Sequence, residues 1–243
     1  MATAWQDALS RWTQALLPCS CVLCGFAAPS MLCAPCRAQC LEGGPLRCPV
    51  CADPLPAGVS EAERCGRCTR QPPAFDATVA AASYELPVDR LVLQLKFGAA
   101  LAHARLFGEL LAEAVRAQPG LPLPALLCPV PLGPDRLSER GFNQALEIAK
   151  PLGRRLRIAV APRLVIRVQD TMAQSLLHGG ARRSNIAHAF GVADRALIEG
   201  RHIGVVDDVM SSGQTLNELA ATLKRHGAGR VTNFVFARTP PQQ

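Results

Sequence analysis

The sequence predicts an α/β domain on a parallel or mostly parallel sheet, preceded by a cysteine-rich, metal-binding segment. Three observations carry that expectation. From residue 78 onward, strand-like apolar runs alternate with helical periodicities, the pattern of strand–helix–strand units. Ten of the eleven cysteines lie between Cys19 and Cys68, eight of them in four Cys-x-x-Cys pairs. And His202 to Thr215 reads as strand, acidic tip, polar turn and helix start in unbroken succession.

At 243 residues the chain has room for one full α/β domain and a small appendage. Apolar residues at 49% are ample for a core, and aromatics at 5% are few. Residues 1–73 hold 6 Arg and 5 acids, so most of the net charge of +7 falls on the larger domain. Such a balance is compatible with phosphate-bearing ligands or nucleic acid, and is also common in ordinary enzymes. No stretch approaches the roughly 20 apolar residues of a membrane span, so no membrane insertion is expected. Met1 to Leu17 contains Asp7 and Arg11 and lacks a basic start followed by an apolar block. It does not read as a secretory leader, and the cytoplasm is the expected compartment.

Trp5, Leu9, Trp12 and Leu16 share one helical face that ends at Pro18, so residues 1–18 read as an amphipathic docking helix. Next come Cys21-x-x-Cys24, Cys33-x-x-Cys36, Cys48-x-x-Cys51 and Cys65-x-x-Cys68. Each such knuckle supplies two thiolates, and zinc wants four in a tetrahedron. Two Cys₄ sites follow, in preference to disulfides or an iron–sulfur cluster. Nearest neighbours give Cys21/Cys24/Cys33/Cys36 and Cys48/Cys51/Cys65/Cys68, with an interleaved pairing left open. Gly25 and Gly66, close behind ligand cysteines, are expected at positive φ. Cys19, Cys40 and Cys128 are left over as ordinary thiols. No His sits among the ligands and no open coordination position is implied, so the metals read as structural, or as a platform for a partner. The segment is poor in apolar residues, so metal binding there is also folding energy. Cysteines stop at the proline-stiffened Gln71-Pro72-Pro73-Ala74-Phe75, which divides residues 19–72, the ribbons, from residues 74–239, the α/β domain.

Within that domain Thr78 to Tyr84 reads as a strand. Pro87 to Phe97 reads as a helix with Pro in its first turn, carrying Leu91, Leu95 and the basic Lys96. Leu101 to Ala117 reads as a second helix and Ala125 to Pro131 as a strand closed by prolines. Arg136 and Arg140 are four apart, and on a helix would share a face. Leu164 to Arg167 reads as a short strand. Val168 to Arg183, with Gln174, Gly179, Gly180, Arg182 and Arg183, lacks a clean period and reads as a mobile loop over a site. Val231 to Phe236 is the last strand.

The opening apolar run Ile203 to Val206 suits a strand covered on both faces. Asp207 and Asp208 end it, Ser211-Ser212-Gly213-Gln214-Thr215 makes the turn, and Leu216, Leu219, Ala220 and Leu223 give the helical repeat. Free N–H groups at a helix start favour a phosphate. Adjacent carboxylates favour sugar hydroxyls or a hydrated Mg²⁺. The motif is neither a Walker loop, a G-x-G-x-x-G dinucleotide turn, nor a G-x-S-x-G elbow.

Val205-Val206-Asp207-Asp208-Val209-Met210-Ser211-Ser212-Gly213-Gln214-Thr215 closely resembles the phosphoribosyl-pyrophosphate (PRPP) signature of type I phosphoribosyltransferases. Ser211 and Ser212 stand where that family commonly has Thr, keeping the hydroxyl. The resemblance implies that Asp207 and Asp208 hold ribose hydroxyls and that Met210 to Thr215 wrap the 5′-phosphate, with Val206 to Thr215 as the whole PRPP-binding set. Over nearly the full chain, the order of the knuckles, Lys96-Phe97, Pro129-Val-Pro-Leu, Arg136…Arg140-Gly-Phe-Asn-Gln144, Arg167…Gln174, Arg182-Arg-Ser-Asn185 and the PRPP motif resembles the ComF family, related to GntX proteins and associated with natural competence. That resemblance implies a double zinc ribbon before a type I phosphoribosyltransferase-like sheet flanked by helices, in a cytoplasmic protein for DNA uptake or the use of external DNA.

Two functions follow as expectations. One is a phosphoribosyltransferase using Mg²⁺ with PRPP, with Asp207, Asp208, Lys96 and Arg140 as catalytic candidates and Arg136, Arg167, Gln174 and Arg182 as candidates for the pyrophosphate. The other is a non-catalytic module that senses PRPP or binds single-stranded DNA beside a DNA-uptake helicase. The scarcity of aromatics for base stacking weighs against the DNA half of the second.

Overall fold

The structure, a computed structural model, describes residues 19–60, 63–118, 120–168 and 189–240. The helix expected over residues 1–18 lies outside them, as does nearly all of the loop expected at 168–183, with Gln174 and Arg182.

The cysteine-rich part begins with two two-residue strands, β1 (Cys19–Ser20) and β2 (Ala27–Ala28), paired antiparallel. Two short helices follow, α1 (Ala34–Leu41) and α2 (Gly66–Arg70). The α/β part runs β3 (Ala77–Ser83), α3 (Val88–Phe97), α4 (Leu101–Arg116), β4 (Leu126–Pro129), α5 (Pro134–Arg140), α6 (Gln144–Leu156), β5 (Ala159–Val160), β6 (Val165–Arg167), β7 (Phe190–Val192), β8 (His202–Met210), α7 (Gln214–Arg225) and β9 (Arg230–Arg238).

Five strands form one parallel sheet in the order β3-β9-β8-β4-β5. This is the expected type I phosphoribosyltransferase-like fold. Outside it, β6 and β7 pair antiparallel as a small ribbon. From β4 the chain proceeds outward to β5, and from β8 it proceeds the other way to β9. The order therefore reverses between β4 and β8, and ligands of open α/β sheets bind in the crevice beyond the carboxyl ends of strands at such a point.

Period-two alternation sends neighbouring residues of β8 and β9 to opposite faces. Val205 and Val235 join a core cluster with Leu216, Leu219 and Leu223 of α7. Val206, Phe234 and Phe236 join the other, with Phe107 and Leu111 of α4 and with Ile148 and Leu152 of α6. Phe107 stacks on Phe236 with ring centroids 3.6 Å apart. Each cysteine group seats on one of these faces: Cys48, Val50, Cys51 and Cys68 on the α7 side, Cys21, Ala28 and Leu32 on the α4/α6 side.

Two expectations need correction. The central strand does not end before the carboxylates. It runs through them to Met210, because β9 keeps pairing with Asp207, Val209 and Met210. And Gly66 is not at positive φ: it opens α2, while the left-handed residue behind the second pair of knuckles is Ala52, at φ 57°. Gly25 does take positive φ, at 77°.

Candidate functional site

The two cysteine groups repeat one plan. In each, the first knuckle closes on a left-handed residue, Gly25 or Ala52, whose N–H donates back to Cys21 O or Cys48 O, at 2.8 Å in both. The second knuckle starts a short helix, with Cys33 or Cys65 as its N-cap residue. The N–H of Cys33 points at the Cys21 sulfur at 3.4 Å, and that of Cys65 at the Cys48 sulfur at 3.3 Å. Burial opposes ionisation of Cys21, yet the backbone N–H groups of Cys24, Cys33 and Leu23 bring it down to about 6. Cys48 is lowered in the same way, against burial, by the N–H groups of Cys65, Cys51 and Val50. The adjoining Cys33 thiol pushes Cys36 up, and burial pushes up Cys51 and Cys68. One thiolate per group is thus prepared by the backbone, while Cys36, Cys51 and Cys68 resist ionisation unless a cation is present. The sulfurs of each group all lie within 4.8 Å of one another. Cys24 and Cys33 sulfurs stand 3.8 Å apart, close to the edge of about 3.8 Å that a zinc tetrahedron with bonds of about 2.3 Å requires. The nearest-neighbour pairing is the one built, and both groups could hold zinc.

The second centre stands at the carboxyl end of β8. Gly204 lets that strand run close to its neighbours: a Cβ there would come within 2.8 Å of Leu127, Phe234 and Pro124. Past the buried Val205 and Val206, Asp207 is half-buried and Asp208 is 6% exposed. Each carboxylate accepts the N–H of the next residue, Asp207 from Asp208 at 2.9 Å and Asp208 from Val209 at 2.8 Å, which fixes both rotamers. Burial, then the charge of Asp208, push the Asp207 carboxyl up to about 7, against the opposing pull of Lys96. Lys96 Nζ, from the last turn of α3, pairs with Asp208 Oδ2 at 3.0 Å.

The chain then turns through the exposed Ser211 and Ser212 into Gly213, which has φ 78° and caps α7. Gly213 offers no side-chain cap; the Gln214 N–H meets Ser212 Oγ at 3.4 Å, and the other orphan amides of a helix start suit an anion.

Other predicted residues are distributed unevenly. Arg140, half-buried at the end of α5, lies over the Phe97 ring at 5.2 Å, next in sequence to Lys96. Arg136 is on the same helix and exposed. Arg167 ends β6 on the outer ribbon, over the Phe190 ring at 5.6 Å. Sequence reasoning missed Asp53, Arg67 and Arg238, which meet the turn after β8 from its carbonyl side. Their signals were a charged residue at the end of an apolar strand, Arg238, one inside a knuckle, Arg67, and one two residues past another knuckle, Asp53.

A parallel sheet with a carboxylate pair and a hydroxyl-rich turn at its switch point defines a phosphoribosyltransferase-type domain. Residues 143–243 match the family model described as Phosphoribosyl transferase domain. Over 195 residues the chain is 36% identical to the DNA utilization protein YhgH of Escherichia coli (strain K12), covering 79% of this chain and 84% of that protein. Over 181 residues it is 34% identical to the competence protein F of Haemophilus influenzae, covering 73% and 79%. The chain belongs to the ComF family. Among solved structures, the glutamine PRPP amidotransferase from B. subtilis is similar at 18% identity and a TM-score of 0.36, over 54% of this chain and 25% of that one. The fold assignment rests on the sheet order rather than on that likeness.

Proposed function

We propose that the chain binds PRPP, or a related phosphoribosyl ligand, at the end of β8, and that it does so as a phosphoribosyltransferase. The observation that supports this is the juxtaposition, at the switch point, of the Asp207–Asp208 pair with the hydroxyl-rich turn and first turn of α7. Residues Ser211 to Thr215 would take the 5′-phosphate on backbone amides and hydroxyls. Asp207 and Asp208 would accept hydrogen bonds from the ribose 2′- and 3′-hydroxyls. Lys96, which meets Asp208, and Arg140, which lies over the neighbouring Phe97 ring, would take the pyrophosphate. A Mg²⁺ ion bound with PRPP would supply further charge neutralisation to the leaving group.

In the transfer, the C1–O bond to pyrophosphate breaks with its electron pair while a nitrogen nucleophile forms the new C1 bond and gives its proton to solvent. Charge builds toward an oxocarbenium ion, as in glycoside cleavage. The protein's share is positioning and charge neutralisation. Asp207→Asn with Asp208→Asn should abolish PRPP binding in calorimetry while the zinc content stays unchanged; unaltered PRPP affinity would sink the reading. Release of pyrophosphate from PRPP across a panel of bases and nucleotide acceptors tests turnover.

A second reading is favoured by the names of the relatives, which concern DNA utilization and competence. On it the chain is a PRPP-sensing or single-stranded-DNA-binding module in DNA uptake, working beside a helicase. Anisotropy of a labelled single strand should then show affinity that falls steeply with salt. Absence of binding at low salt, together with measurable turnover, decides for the enzyme.

A further inference from the structure

Behind the phosphate turn, on the side away from its exposed serines, lies a buried arginine. Arg238 ends β9, opposite Met210, and is 2% exposed. Its Nε donates to Cys51 O at 2.9 Å. Its Nη1 donates to Met210 O at 2.8 Å, to Thr239 O at 2.7 Å, and to Ser211 O. Its Nη2 is ion-paired with Asp53, a residue 7% exposed. Asp53 Oδ2 also takes Arg67 Nη2 at 3.2 Å and the Cys51 thiol at 3.4 Å. Arg67, next to Cys68, reaches Ser212 O with its Nη1 at 3.5 Å. Three consecutive carbonyls of the turn, those of Met210, Ser211 and Ser212, are therefore drawn toward two arginines anchored on the second cysteine group.

We infer that the second cysteine group is the rear anchor of the phosphate turn, acting through Arg238, Asp53 and Arg67 as positioning residues. The inference rests on the reading that Ser211 to Thr215 receives a 5′-phosphate. In a trans peptide the carbonyl and the following N–H point opposite ways. Holding the carbonyls of residues 210, 211 and 212 to the rear turns the amides of Ser211, Ser212 and Gly213 to the front, as the concave run of donors that suits an anion. Arginine fits this role because its planar guanidinium offers five donors in fixed directions, so one side chain can hold acceptors from three segments. Metal bound by Cys48, Cys51, Cys65 and Cys68 would fix the positions of Cys51 O and of Arg67, and so would hold the turn without touching the ligand. The first cysteine group sits on the other face of the sheet and has no such contact among the described residues.

The test uses the zinc-loaded full chain, with two readouts: amide hydrogen exchange across residues 210–215, and calorimetric affinity for ribose 5-phosphate and for pyrophosphate. Arg238→Lys and Cys65→Ser should speed exchange in 210–215 and weaken ribose 5-phosphate by roughly tenfold, the worth of one charge-assisted hydrogen bond. Pyrophosphate affinity should stay as in the unmodified chain. Arg67→Ala, at a side chain 48% exposed, should do the same more mildly, and it decides alone if Arg238→Lys does not fold. Arg37→Ala, which removes only the Arg37–Glu113 pair beside the first group, should leave both readouts of the turn unchanged. Exchange in 210–215 that is unaffected by Arg67→Ala and Arg238→Lys overturns the inference, as does a loss spread evenly over the sheet and both ligands. If the unmodified chain binds neither ribose 5-phosphate nor PRPP, the phosphate reading falls, while the exchange pattern still decides whether the clamp holds the turn.

Discussion

Asp207 carries an energetic conflict that function would resolve. Its carboxyl is half-buried beside a second carboxylate, and burial first, then that neighbour, hold it up to about 7. An unfolded Asp releases its proton near 3.9. Between those two values the folded chain binds more protons than the unfolded one, so this residue makes stability fall as pH rises through that window. On the proposed function ligand binding would run the other way, because ribose hydroxyls and a bound cation would need the carboxylate. PRPP affinity should therefore rise as pH goes from about 6 to 8, with a proton released on binding that calorimetry in buffers of different ionisation enthalpy would register. Asp207→Asn should raise the midpoint of thermal unfolding at pH 8 and remove binding. A variant that keeps both the affinity and its pH dependence would show that Asp207 does not face the ligand.

Among the elements, β8 carries the site, and its close packing is legible in one residue. A methyl group on Gly204 would stand 2.8 Å from Leu127, Phe234 and Pro124 at once. Gly204→Ala should cost about 1–3 kcal/mol in denaturant unfolding, the usual penalty of overpacking a core, and a neutral result would mean that β4 and β9 yield around it. The strand, its carboxylates and α7 could be read directly, because all the determinants lie within about two dozen consecutive residues: an apolar run, two acids, a small polar turn and a 3.6-residue repeat. The four cysteine knuckles were equally local, but which pairs share a site stayed open until the fold brought them together. Helix α6 could have been read from Ala145, Ile148, Ala149 and Leu152, all buried, but Pro151 interrupts the pattern within the helix. Strands β5 and β7, of two and three residues, are too short for any period to show. Gly66 misled because a glycine behind a cysteine fits a left-handed turn and a helix start equally well. The Arg238–Cys51 contact joins positions 187 apart in the chain. No local pattern encodes such a pairing; only the sheet order, which sets β9 beside β8, brings it about.

For the whole molecule, the decisive question is whether the cysteine groups are appendages or parts of the core. Cys48, Cys51 and Cys68 are buried in the cluster that contains Val205, Leu219 and Val235, and Cys21 is buried in the one that contains Val206 and Phe234. The hydrogen bond from Thr78 N–H to Pro49 O, 3.2 Å, ties the second group to the first strand of the sheet as well. With metal bound, four thiolates share one cation. Without it, the sulfurs of each group face each other within 4.8 Å, and in the second group burial opposes charge on Cys51 and Cys68. Metal binding and folding are then one equilibrium, since an unfolded chain holds no preformed tetrahedron. Purified protein should carry two zinc ions per chain by elemental analysis. Chelation should lower the thermal midpoint of the α/β part along with the ribbons, in a single cooperative transition, by about 10 °C or more if removal costs several kcal/mol. A metal content well under two per chain would remove the zinc assignment. A chelated chain whose sheet melts at the original temperature would show that the ribbons ride on the domain rather than complete its core.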